Sequence, residues 1–151
     1  AVGSYIARVW RIFAFRIEPY PAPWLTWLVA GAVYVNFFSH HYLPDLRWLL
    51  FGAIAALFWR TRVHFTVLRE ERWMPLLVGW LLVALFIWLA ENIGTFARAW
   101  SYPGQEDGWE PVGLAKLGSW YLLMYLSFVL VAVVARADAG RSGAGSPVTL
   151  R

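Results

Sequence analysis

Glu91 and Asn92 follow directly on an uncharged apolar run from Pro75 to Ala90, and Thr95 and Arg98 come within the next two turns. A carboxylate at the end of such a run is costly in lipid, so it has to face protein or water. There it can carry a proton, hold a cation, act as acid or base, or accept bonds from a neighbouring helix. Glu91 and Thr95 are four apart and share one helix face. Asn92 points about 100° away, toward a different neighbour. Arg98 lies two turns beyond Glu91, about 10 Å along the axis, so direct pairing needs a bend at Gly94 or a long reach. Glu91 is the candidate catalytic residue. Glu91, Asn92, Thr95 and Arg98, together with His40 and His41, form the candidate binding set.

His40, His41, Asp45 and Glu91 also invite a metal reading, because imidazole and carboxylate suit zinc, iron or manganese. Two features oppose it. Adjacent histidines diverge on a helix, and Pro44 breaks any four-residue relation between His41 and Asp45. The expectation is therefore an interfacial turn without a metal. With no cysteine in the chain, disulfides and thiolate sites are excluded. There is no glycine-rich phosphate loop, nucleophile elbow or paired metalloprotease histidines, and no pattern identifies a cofactor.

The elements that position these residues are apolar. The 151 residues are 60% hydrophobic and 15% charged, against about 25% charged in soluble domains. Mean hydropathy is +0.53. Eleven Trp, ten Phe and seven Tyr suit the aromatic belts of a membrane interface. The expected fold is all-α, a polytopic transmembrane helix bundle with four spans at about 24–40, 46–62, 74–96 and 114–135. Gly31-Ala32 and the small residues from Gly52 to Ala56 offer surfaces for close helix contact. Trp80 and Trp88, within the third span, either pack or line a pocket. Residues 1–18 read as an amphipathic basic helix, with Arg8 and Arg11 opposite Ile6, Val9 and Phe13, or as the end of a preceding transmembrane helix. Pro19, Pro21 and Pro23 stop it. Residues 137–151, rich in Gly, Ser and Ala, read as a disordered tail after the bundle of 19–136.

Charge orients the bundle. Of thirteen Lys and Arg, only Arg47, Arg98 and Lys116 fall on the side that carries Glu91; the rest lie in the opening helix, the 60–72 connection and the tail. The positive-inside bias places those three segments, and both ends of the chain, in the cytoplasm. Anionic lipid explains the basic balance without nucleic acid.

The segments VALFIWLAENIGTFARAWSYP from Val83 and GWEPVGLAKLGSWYLLMYLSFVLV from Gly108 resemble the bacterial integral-membrane family known as domain of unknown function 817. GSYIARVWRIFAFR and NFFSHHYLPDLRWLLF are similar to it as well, and Glu91-Asn92-Ile93-Gly94-Thr95 is the most specific part. The resemblance implies a multi-helix membrane protein about twice this length, of which this chain is the C-terminal half, with the missing half as a partner beside the lipid bilayer. It implies no activity. Three function classes are open. One is transport or binding of a small solute or cation at the outer face. Another is a membrane enzyme acting on a lipid or isoprenoid, with Glu91 as acid and His40 or His41 assisting. The last is a structural assembly subunit.

Overall fold

Among the described residues, four helices form where the apolar runs lie: α1 (Pro23–Ser39), α2 (Arg47–Phe58), α3 (Leu76–Phe96) and α4 (Leu114–Ser142). The computed structural model describes residues 16–39, 45–67, 70–105 and 107–142, with backbone alone at Val67 and over 133–142. Helix α1 starts on Pro23, whose missing N–H is no loss in a first turn. Helix α3 and the Leu114–Ala132 part of α4 are long and apolar enough to cross a membrane. With 12 residues, α2 is only about 18 Å long, against a hydrocarbon layer of about 30 Å. Helix α1, with 17 residues, reaches about 26 Å. Among the described residues, two of the four expected spans thus have the spanning length. Helix α4 runs on to Ser142, past the point at which the tail is expected to begin.

The all-α expectation is corrected by a small antiparallel sheet of strands β1 (Arg16–Glu18), β2 (Arg62–Val67) and β3 (Glu70–Pro75), in the order β1-β2-β3. Residues 16–18, expected at the end of the opening helix, are extended; residues 1–15 lie outside the described residues. The second expected span, 46–62, stops at Phe58, because Arg62 already pairs with Glu18 and Pro75. The third, 74–96, begins at Leu76, because Met74 and Pro75 finish β3. The cause is a period of two in RVHFTV, which sets Val63, Phe65 and Val67 against Arg62, His64 and Thr66. Ile17, Val63 and Met74 are aligned across the strands on one face. The other face carries Arg16, which donates to Glu71 at 2.9 Å, His64 at 3.4 Å from the same carboxylate, and Arg62, 4.0 Å over the Trp73 ring. Thr61 ties the sheet to the helices: its Oγ1 donates to the Pro19 carbonyl and its own carbonyl accepts Leu76 N–H.

Inside the bundle the core is aromatic. Phe58 (0% exposed), Trp80 (3%) and Tyr125 (0%) meet edge to face, with centroids 5.0 to 5.8 Å apart. This arrangement suits the positive edge and negative face of each ring. Tyr125 also donates its hydroxyl to the Thr26 carbonyl at 2.8 Å, joining α4 to α1. Trp80 is therefore a core residue. Gly31, Ala32, Gly52, Ala55 and Ala56 face outward, and a Cβ on Gly31 or Gly52 would meet nothing within 4 Å. Close approach falls instead at Gly118, where a Cβ would lie 3.0 Å from Phe51 of α2. Outward faces are apolar too: Trp48 is 84% exposed, and Phe86 and Phe38 are exposed as well. An apolar exterior of this kind suits a lipid solvent.

Candidate functional site

The polar residues of the sequence gather at the end of the bundle opposite the sheet, where α1 meets α2 and α3 meets α4. On the α1–α2 side, Asn36 Oδ1 accepts Leu46 N–H at 3.1 Å. Asp45 binds Arg47 at 2.6 Å, and Arg47 reaches on to the Ala115 carbonyl of α4 at 3.1 Å. Burial raises the pKa of Asp45, but bonds and charge from Arg47, with help from Asn36, outweigh it and hold this carboxyl below its usual range. His40 and His41 lie outside the described residues. Among the described residues, no group of three His, Asp or Glu is placed to hold a metal.

On the α3–α4 side, the last turns of α3 form a docking template for the loop 97–113. Glu91, 6% exposed, accepts the Tyr102 hydroxyl on Oε1 and the Trp120 indole N–H on Oε2, the latter at 2.7 Å. Asn92, turned about 100° away, accepts Val112 N–H on Oδ1 at 2.9 Å and donates from Nδ2 to the Trp88 carbonyl. Trp88 donates its indole N–H to the Val112 carbonyl at 3.0 Å, so that one loop residue is held through both of its backbone polar groups. Thr95, buried on the Glu91 face, accepts the Trp109 indole N–H at 3.1 Å while its hydroxyl lies 3.0 Å from the Glu91 carbonyl. Gly94 completes the template: a Cβ there would collide with the six-membered ring of Trp100, which packs across the bare backbone. The Glu-Asn-Ile-Gly-Thr run thus binds Tyr102, Val112, Trp100 and Trp109 in one stretch of helix. Tyr102 is also covered by Lys116, whose Nζ lies 4.3 Å above the ring. The hydrogen bond to Glu91 raises the Tyr102 pKa, with burial and the Glu91 charge adding to it and Trp100 partly offsetting it.

Arg98 does not reach Glu91, and no ion pair forms at Arg98 among the described residues. Instead it ends the helix. Its φ is +54°, in the left-handed region. Arg98 N–H bonds to the Thr95 carbonyl at 3.1 Å and Ala99 N–H to the Gly94 carbonyl at 3.0 Å. This pair of bonds is the Schellman motif, with arginine where glycine usually stands. Beyond it opens a cleft of about 270 Å³, lined by Thr95, Arg98, Trp100, Ser101, Gln105, Gly108 and Trp109. Glu91, Asn92, Thr95 and Arg98 therefore come together around one loop. Sequence reasoning missed Tyr102, Gln105 and the hydrogen-bonding roles of Trp109 and Trp120, which it assigned to the interfacial belt. A count of donors could have found them: a buried Glu-Asn-Thr surface needs partners, and the following loop supplies two indoles and a phenol.

A helical bundle with two helices of membrane-spanning length and an aromatic, hydrogen-bonded cap over one end is the class of protein this arrangement defines. The chain belongs to the family described as protein of unknown function (DUF817), whose model matches residues 1–128. It is 42% identical over 132 residues to the "Uncharacterized protein YoaT" of Bacillus subtilis (strain 168). That match covers 87% of this chain and 50% of the relative, so the chain spans about half the length of the curated protein it matches. No solved structure matches it.

Proposed function

We propose that the protein resides in the bacterial cytoplasmic membrane as a multi-pass protein and binds a small solute at the capped end, as part of a transport or binding function of the full-length molecule. The observation that carries this reading is the cleft of about 270 Å³ beside the Arg98 turn, close to the size of small-ligand sites and walled by both polar and aromatic groups. Glu91, Asn92 and Thr95 act in this reading as positioning residues that hold the cleft walls. Arg98 contributes to the binding surface. The lipid bilayer covers the apolar exterior, and the other half of the longer protein is a partner of the bundle. The ten-to-three division of positive residues supports an orientation with the sheet in the cytoplasm and the cap outside. Single cysteines at Thr66 and Ser101 are then expected to label from opposite sides of intact cells, the second from outside. Labelling of both from one side rejects the orientation.

Thermal unfolding of the full-length protein in mild detergent tests the binding itself. The panel comprises inorganic cations, amines, sugars, carboxylates and phosphate esters, and a ligand present at a hundred times its Kd stabilises by about 2.7 kcal/mol. At least one class is expected to raise the melting temperature by several degrees. If none does, the solute reading fails. The structural-subunit reading then takes its place, since both Glu91 oxygens are already engaged by Tyr102 and Trp120.

A further inference from the structure

We infer that the cleft takes a small amphipathic oxyanion, a carboxylate or phosphate group joined to an apolar or aromatic portion, with Arg98 as the anion-binding residue; this rests on the solute-binding reading and names its ligand class. Position 98 is the left-handed residue of the Schellman turn, at φ +54°, where a side chain is strained and glycine is not. The strain brings no intramolecular bond in return: among the described residues, the guanidinium has neither an ion pair nor a hydrogen-bond partner. Glu91, the carboxylate closest to it along the helix, instead accepts one donor on each oxygen, from Tyr102 and Trp120. An arginine held at a glycine position, unpaired among the described residues and lining a cleft, presents its planar fork of donors to whatever enters. That fork matches the two oxygens of a carboxylate or phosphate.

The other walls define the rest of the ligand. Ser101 lines the same cleft, and its hydroxyl has no intramolecular partner among the described residues. Gln105 offers little, because its Oε1 accepts Tyr102 N–H and its Nε2 donates to the Glu110 carbonyl. The Trp109 N–H is taken by Thr95, leaving its ring as an apolar wall, and Trp100 is pinned across Gly94 as a second. Oxyanion recognition on one side and indole surface on the other describe an amphipathic molecule. Its size is bounded by the volume of about 270 Å³. Its charge is bounded by Asp107 and Glu110, exposed on the same loop, which repel a larger polyanion. Both a soluble ester and a lipid headgroup have this chemistry.

The test uses the full-length protein, native and as Arg98→Gly. In detergent, the soluble probe is phenyl phosphate, with benzylamine and benzyl alcohol as matched cationic and neutral controls. In nanodiscs, zwitterionic lipid alone is compared with a mixture containing an anionic phospholipid. Arg98→Gly is expected to melt at the native temperature or above it, since glycine removes the left-handed strain. It should also weaken phenyl phosphate, or abolish the stabilisation by anionic lipid, by about tenfold or more. Dependence in the detergent arm identifies a soluble oxyanion as ligand, and dependence confined to the nanodisc arm identifies a headgroup. The inference is overturned if Arg98→Gly binds both as the native protein does, or if it melts several degrees lower, which would make the side chain a strut of the loop. Binding of benzylamine or benzyl alcohol in preference to phenyl phosphate overturns the oxyanion assignment and leaves the solute-binding reading standing. Binding in no arm rejects both.

Discussion

Replacement of Glu91 by leucine is expected to destabilise the bundle by about 2–4 kcal/mol, while replacement by glutamine costs no more than about 1 kcal/mol. The difference follows from the two partners. Trp120 N–H can only donate, whereas the Tyr102 hydroxyl can donate or accept. Glutamine can turn its Oε1 to Trp120 and its Nε2 to Tyr102, so both contacts survive once the hydroxyl rotates. Leucine offers neither and orphans two partly buried donors at once, at about 1–3 kcal/mol each, reduced where water reaches the loop. The loop 97–113 then loses its anchor through Tyr102 and the cleft loses its shape. Melting temperature in detergent, with protease sensitivity of the loop, measures both variants. If glutamine is as damaging as leucine, the charge itself holds the site, and neutral hydrogen bonding is the wrong account. If leucine is harmless, the loop does not depend on Glu91.

Truncation of Trp80 to alanine is expected to cost about 3–5 kcal/mol, the range for removing a large aromatic side chain from a core. Trp80 touches Phe58 and Tyr125 edge to face and also packs against Phe128, with centroids 5.0 Å apart, so its loss leaves a cavity bordered by rings from α2 and α4. Those rings belong to different helices, and the space cannot close without moving a backbone. Phenylalanine at the same position fills most of the volume and is expected to recover more than half of the loss. Trp48→Ala serves as the comparison, since Trp48 is 84% exposed and contributes little to internal packing. Equal melting temperatures for Trp80→Ala and Trp48→Ala would show that the aromatic cluster is not the core of this bundle.

Much of this protein is determined by local composition. The helices lie where uncharged runs are long enough to bury themselves, and their ends fall at prolines and charges, because hydropathy and helix breaking act over a few residues. The polar residues Asn36, Asp45, Glu91, Asn92 and Thr95 converge on one end of the bundle, as helices running up and down require. The sheet was also written in the sequence, as the alternation of RVHFTV, but the dense charge around it reads as a solvated connection. Only tertiary structure decided the partners. Glu91 meets Trp120, 29 residues away, and not Arg98, seven away, because helix packing brings α4 alongside while the Schellman turn swings Arg98 into the cleft. Trp80, Trp109 and Trp120 look alike to any composition rule, yet one fills the core and two hold the cap. A left-handed arginine gives no local signal, since the sequence rule for that turn looks for glycine. Hydropathy is a property of each residue and can be read along the chain. A hydrogen-bond partner is a property of two surfaces, and it exists only after the helices have packed.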